Sequence, residues 1–223
     1  MVNILPEKKW ECSGGKKNNM SKYNFANLKQ NLESKGYQVS VFENKEEAVN
    51  YINEQVHQRS VGLGGSVTIH EMNLFEMLSS HNVVYWHDKK PEDMSVMETR
   101  TAASRAEVYI SSVNAISEAG EIVNIDNTGN RVAAISYGPA KIYLIIGGNK
   151  VTADLESAIY RARNVASPLN AKRLNRKTPC AVKGDRCYDC NSPERICRNL
   201  SVLWDKPTGA DYEVILIEEE LGF

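Results

Sequence analysis

Apolar residues in this chain come in short runs divided by polar, often glycine-bearing, punctuation. Residues 60–63 form a run short enough for one buried strand, and Ile69, Met72, Phe75 and Leu78 then recur every third residue, as one face of a helix requires. Upstream, Phe25, Leu28 and Leu32 predict a helix over residues 21–34 that ends at Gly36. Residues 37–42 alternate around Val39 and Val41 as a strand, and Ala48, Val49, Ile52 and Val56 mark a second amphipathic helix. Downstream, strands are predicted at 82–86, at 108–111 with a continuation at Ala115 and Ile116, at 121–125 and at 141–146. Helices are predicted at 94–105, from Val132, and from a cap at Asp154 through Leu155, Ala158, Ile159, Ala162 and Val165 to a stop before Pro168.

Strands and helices therefore alternate, which predicts βαβ units: an α/β fold in three layers, with a largely parallel sheet and helices on both faces. Ligands of such sheets bind beyond the carboxyl ends of the strands. Residues 1–20 are polar and lysine-rich and read as a flexible arm, and residues 21–170 as the α/β domain. Residues 171–223 break the alternation with prolines, cations and cysteines, and close on an apolar stretch at 212–217 that reads as an added strand.

Composition changes this picture little. Hydrophobic residues at 42% and charged residues at 25% are ordinary for a globular protein, and a net charge of −1 gives no electrostatic reason to expect nucleic acid or a membrane surface as partner. No apolar run approaches the ~20 residues that span a bilayer, and the N-terminus lacks the apolar core of a signal peptide, so a cytoplasmic location is expected. The oligomeric state is not legible.

Candidate chemistry falls in three places. Between the predicted strand and helix lie Gly62, Gly64, Gly65 and Ser66, a loop that allows close approach of a ligand and offers backbone N–H groups to an anion; a tight turn that binds nothing gives the same pattern. Asn130, Arg131 and Lys150 offer an amide and two cations from separate turns, an anion site if those turns converge on Gly64, Gly65 and Ser66, with Arg131 able to grip a carboxylate in bidentate fashion; helix capping and surface solvation are the plain alternatives. Glu118, before a glycine turn, is placed either as general base or nucleophile or as an exposed loop carboxylate. Arg161 and Arg163, two apart on a helix, point to different faces, and His57, His70, His81 and His87 show no metal spacing.

The third place is the cysteines. Cys12 stands alone, and the other four follow Cys180-x6-Cys187-x2-Cys190-x6-Cys197. Four thiolates can close a zinc site or hold an iron–sulfur cluster, but the flanking spacings match neither a standard zinc ribbon nor a ferredoxin, and reduced or disulfide-linked cysteines fit as well.

Taken in order, Gly62-Leu63-Gly64-Gly65-Ser66-Val67-Thr68, Glu118-Ala119-Gly120-Glu121, Asn130-Arg131-Val132-Ala133, Tyr137-Gly138-Pro139, Gly148-Asn149-Lys150, Arg161-Ala162-Arg163 and Ser192-Pro193-Glu194-Arg195-Ile196-Cys197 resemble the LUD domain family of lactate-utilisation proteins, over residues 21–197. The resemblance implies a fold similar to the superfamily of ribose-phosphate isomerase, glucosamine-phosphate deaminase and CoA-transferase, in which a glycine-rich loop holds a phosphate or the substrate's anionic end. It also implies a redox setting, with an iron–sulfur lactate-oxidising system and a redox protein partner as neighbours. Where related sequences read Glu-Thr-Gly-Thr, this chain reads Glu118-Ala119-Gly120-Glu121, losing two hydroxyls and gaining a carboxylate. Two functions are expected to compete. One is a LUD-type protein, enzyme or accessory subunit, that binds a small anionic metabolite and carries a cysteine-ligated metal. The other is a non-catalytic sensor or assembly protein whose cysteine segment docks a partner.

Overall fold

The structure, a computed structural model, describes residues 23–223. The arm expected at residues 1–20, and Cys12 with it, lies outside the described residues. In chain order the elements are α1 (Ala26–Ser34), β1 (Gln38–Phe42), α2 (Lys45–Gln55), β2 (Ser60–Leu63), α3 (Val67–Glu71), α4 (Leu74–Ser79), β3 (Val83–Tyr85), α5 (Val96–Ser104), β4 (Val108–Ser112) and β5 (Ala115–Ser117). There follow β6 (Ile122–Asp126), α6 (Asn130–Ser136), β7 (Lys141–Gly147), β8 (Val151–Thr152), α7 (Leu155–Arg161), α8 (Ser167–Arg173), α9 (Pro179–Lys183), β9 (Asn199–Leu203) and β10 (Asp211–Ile217).

Six strands form one sheet in the order β1-β10-β7-β4-β2-β3, every pair parallel. Side chains alternate across it and build two cores. Ile145, Ile215 and Ile217 face α2, α3 and α4 through Ala48, Ile52, Ile69 and Leu74. Leu144, Ile146, Val214 and Leu216 face α1 and α6 through Leu28, Leu32 and Ile135. The three-layer α/β architecture read from the alternation is therefore present. The stretch at 212–217, read as an added strand, is instead β10 in the sheet interior, between β1 and β7; a strand covered on both faces is apolar at nearly every position, and Tyr212 through Ile217 are all buried.

Three further differences have local causes. The strand at Ala115 does not continue β4: Asn114 intervenes, its side-chain oxygen accepting the Ile125 N–H at 2.7 Å, and β5 opens a second sheet, β8-β5-β6-β9, antiparallel except for β5 with β8. The helix after the glycine loop splits into α3 and α4 because Asn73 adopts a left-handed φ of 51°. The helix capped by Asp154 does not stop before Pro168. A π-helical turn, Ala162–Ala166, links α7 to α8, and the Ala162 carbonyl accepts both the N–H and, at 2.8 Å, the hydroxyl of Ser167. That wider register leaves Pro168 at the first turn of α8, where its missing N–H is harmless. Among the described residues no helix is long and apolar enough to cross a membrane.

Candidate functional site

The ends of β2, β4 and β7 are adjacent in the sheet, and each delivers a different group to one place. Beyond β2 the glycines serve packing first. A Cβ on Gly62 would stand 2.1 Å from the Ala103 carbonyl oxygen of α5, one on Gly64 2.5 Å from the Ser111 hydroxyl, and one on Gly65 2.9 Å from the His87 ring. Only glycine lets these elements close. The chain then turns through Ser66, whose side chain caps nothing, into α3 and places Thr68 inward. β4 ends at Ser112, and a short turn after β7, Gly148–Lys150, brings in Lys150.

These groups border a cavity of about 230 Å³, which also touches Asn130 and Arg131 at the start of α6, Arg100 of α5, and Asn170 and Arg173 of α8. Lys150 is 2% exposed, and its ammonium donates to the Ser112 hydroxyl at 2.7 Å and the Thr68 hydroxyl at 2.9 Å. Burial pulls its pKa down to about 7, reinforced by the charges of Arg161 and Arg131 and opposed by Glu71. Arg161 works from behind: its Nε donates to the Asn149 carbonyl at 2.9 Å and a terminal nitrogen to the Asn114 carbonyl at 2.5 Å, tying the β7 turn to the β4 end. The last residues close the same corner. The Thr68 hydroxyl donates to the Leu221 carbonyl at 3.3 Å, the Asn149 amide to that of Gly222 at 3.1 Å, and the Gly222 N–H to Glu71 at 2.7 Å.

Arg131 lines the cavity yet is committed to the protein. Its terminal nitrogens donate to the Ser112 and Ile125 carbonyls at 2.9 and 2.8 Å and to the side chains of Asn124 and Asn114 at 2.7 and 3.0 Å, while Nε faces Asp126 at 3.5 Å. The guanidinium thus braces β4, β6 and the Asn114 turn, and the bidentate grip on a ligand expected of it has no free N–H pair. Arg100 is placed to take that part: its Nε is buried and has no hydrogen-bond partner, and Arg100 has no acidic partner among the described residues. The two carboxylates in the wall are occupied, Asp126 by Arg131 and Asp88 by His70 at 2.9 Å and His87 at 3.6 Å. Burial lowers the pKa of His87, which favours its neutral form. Arg173, bonded to Asn170 at 3.0 Å, and Arg176 likewise have no acidic partner among the described residues. The wall carries an excess of cations.

Of the expected site residues, Gly65, Ser66, Asn130, Arg131 and Lys150 meet at this cavity, and Gly64 lies just behind it against Ser111. Glu118 does not join them. Its N–H donates to Thr152 at 2.8 Å and its carbonyl accepts the Asn31 amide of α1 at 2.7 Å, so the β5–β6 turn packs on α1 away from the cavity. The carboxylate gained at Glu121 is used locally, accepting the Ser117 hydroxyl across that turn. Thr68, considered only as a cap, and Ser112, Arg100 and Arg173 were not among the residues expected there. The rule that ligands sit at strand ends, applied to β4 as well as β2, points to Ser112; nothing local marks Arg100.

The four cysteines are half-buried free thiols. Cys180 lies in α9 beside the Thr178 hydroxyl at 3.3 Å; Cys187 accepts from Arg163 at 3.8 Å and from the Asp189 N–H at 3.3 Å; Cys197 accepts from Arg195 at 3.5 Å. Among the described residues no group of three or more His, Cys, Asp or Glu is arranged to hold a metal ion. Two of the sulfurs already face a guanidinium, which opposes a cation, so as placed the set does not fit the zinc or iron–sulfur site expected of it.

An α/β protein whose parallel strands end around a cationic cavity is the class that fold and site define. The family model for the LUD domain matches residues 25–217, and the chain belongs to that family. A crystal structure of a DUF162 family protein from Deinococcus radiodurans, at 1.70 Å resolution, is similar over 87% of this chain and 99% of that one, with a TM-score of 0.50 and 13% identity, which supports the fold. No curated protein matches the chain in sequence.

Proposed function

We propose that this LUD-domain protein binds a small anionic metabolite, a carboxylate or phosphate ester, in the cavity at the strand ends, and that it serves organic-acid metabolism, the lactate-utilisation-like role that family membership supports. The observation that carries this reading is the imbalance of charge: Arg100, Arg173, Arg176 and Lys150 border a cavity in which both carboxylates are already paired. Charge-assisted hydrogen bonds to an oxyanion are the interactions such a wall makes best. Gly65 and Ser66 would border the anion, and Asn130 would add an amide donor. Glu118 has no part in it. Titration calorimetry with L-lactate and with inorganic phosphate tests the reading. Saturable heat on the full chain, weakened about tenfold or more by Arg100→Gln, is expected from losing one charge-assisted bond. No saturable heat with either anion would overturn it.

A second reading, a docking role for the cysteine segment with a redox protein or other partner, rests on Val182 and Leu200. These are 76% and 49% exposed beside Cys180 and close to Cys197 in sequence. It concerns a different surface and leaves the cavity free to bind its anion.

A further inference from the structure

Lys150 is the least ordinary charged residue in the described structure. Buried lysines are normally paired with a carboxylate. This one has two neutral hydroxyls, Ser112 at 2.7 Å and Thr68 at 2.9 Å, and no ion pair among the described residues. It sits on the wall of the cavity, whose other cations suit an anion rather than an ammonium. Gly222 closes over it so tightly that a Cβ there would come within 3.5 Å of Nζ. Holding a cation here is unfavourable; holding a free amine with hydroxyls on either side is not.

We propose that Lys150 forms an imine with the carbonyl carbon of a bound anionic ketone or aldehyde, which makes 2-oxo acids the substrate class of the cavity. The proposal rests on the anion-binding reading above and assigns the chemistry at that site. The amine lone pair attacks the carbonyl carbon, the carbonyl oxygen takes up a proton, and the carbinolamine loses that oxygen as water while the C=N bond forms. Amine and carbonyl thus give imine and one water, with no change of oxidation state. The Ser112 and Thr68 hydroxyls, each able to donate and accept, are placed to move the proton that departing water requires. Arg100, with its unpartnered Nε, is placed to hold the carboxylate and so orient the carbonyl. The lowered pKa of Lys150, about 7, supplies the neutral nucleophile near neutral pH.

The test is reductive trapping on the full chain, with pyruvate and cyanoborohydride as probes and peptide mapping by mass spectrometry as readout. The expected result is a carboxyethyl group on Lys150, acquired at least about tenfold faster than at any exposed lysine, as an activated amine requires. Inorganic phosphate should slow the labelling by competition, and the rate should rise with pH through about 7 before levelling. Lys150→Met should abolish it; Lys150→Arg, which keeps the charge and removes the nucleophile, serves if the methionine variant does not fold. Wild-type protein that binds pyruvate calorimetrically but is labelled only at exposed lysines overturns the imine and leaves the anion reading intact. Protein that binds neither pyruvate nor phosphate overturns both.

Discussion

The rim of the main sheet and the cysteine stretch make opposite use of distance along the chain. Thr68 and Lys150 are 82 residues apart, and Ser112 and Lys150 38 apart, yet the three side chains meet within hydrogen-bond reach. Cys187 and Cys190 are separated by two residues and still take no common partner, because no strand or helix is assigned between α9 and β9 to fix their directions. Parallel register forces the ends of β2, β4 and β7 to one side of the sheet, so whatever residues follow those strands are brought together. A close spacing of potential ligands carries no such guarantee.

The comparison can be broken most severely at Arg131. Arg131→Ala removes four hydrogen bonds and the contact with Asp126 in a nearly buried setting, and is expected to cost about 3–5 kcal/mol in a urea titration, since it leaves a carboxylate and several carbonyls unpaired. Arg131→Lys should recover little of this, because one ammonium cannot reproduce a fork of five donors. An unchanged midpoint would show that the rim is not braced as described. Arg100→Gln separates binding from bracing: the same titration should move by no more than about 0.5 kcal/mol, while the tenfold loss in anion affinity persists.

A smaller effect is expected from pH. An anion beside Lys150 favours its charged form, so binding takes up a proton wherever the free protein has lost it. Phosphate affinity, corrected for the anion's own titration, should be flat below about pH 7 and fall above it. Stability runs the other way. Between about 7 and the ordinary lysine value the unfolded chain holds a proton that the folded chain does not, so wild type should gain stability with rising pH relative to Lys150→Met in that window. Equal pH profiles for the two proteins would remove Lys150 as the titrating group. The smallest change should follow from the double substitution Cys187→Ser and Cys197→Ser, within about 0.5 kcal/mol, as for half-buried groups with weak partners. Metal analysis of protein purified without oxygen should find well under one equivalent; stoichiometric zinc, or iron with sulfide, would mean that the segment rearranges around an ion.

The main strands were legible because each is an apolar run with a glycine or polar boundary, and even β10 was found as a strand. Its place was not, since a strand's position in the sheet order depends on pairing that no local pattern records. The second sheet escaped for a similar reason: β5 reads as more of β4 until Asn114 is known to bond to Ile125. At the site, the expected convergence of the glycine loop with Asn130, Arg131 and Lys150 holds in space. What failed was the assignment of work among the cations. Arg131 and Arg100 look alike in sequence, and only their partners distinguish a brace from a free donor.

The π turn at Ala162–Ala166 bears on how such a cavity can change over generations. A π turn is an α-helix holding one surplus residue. Losing any residue from it would return the segment to ordinary helical register and swing α8 by about 100° about its axis, the rotation per residue of an α-helix. Asn170 and Arg173 would leave the wall together. A single codon deleted or inserted there could therefore exchange one side of the pocket for another face of the same helix, while the sheet and Lys150 stayed where they are.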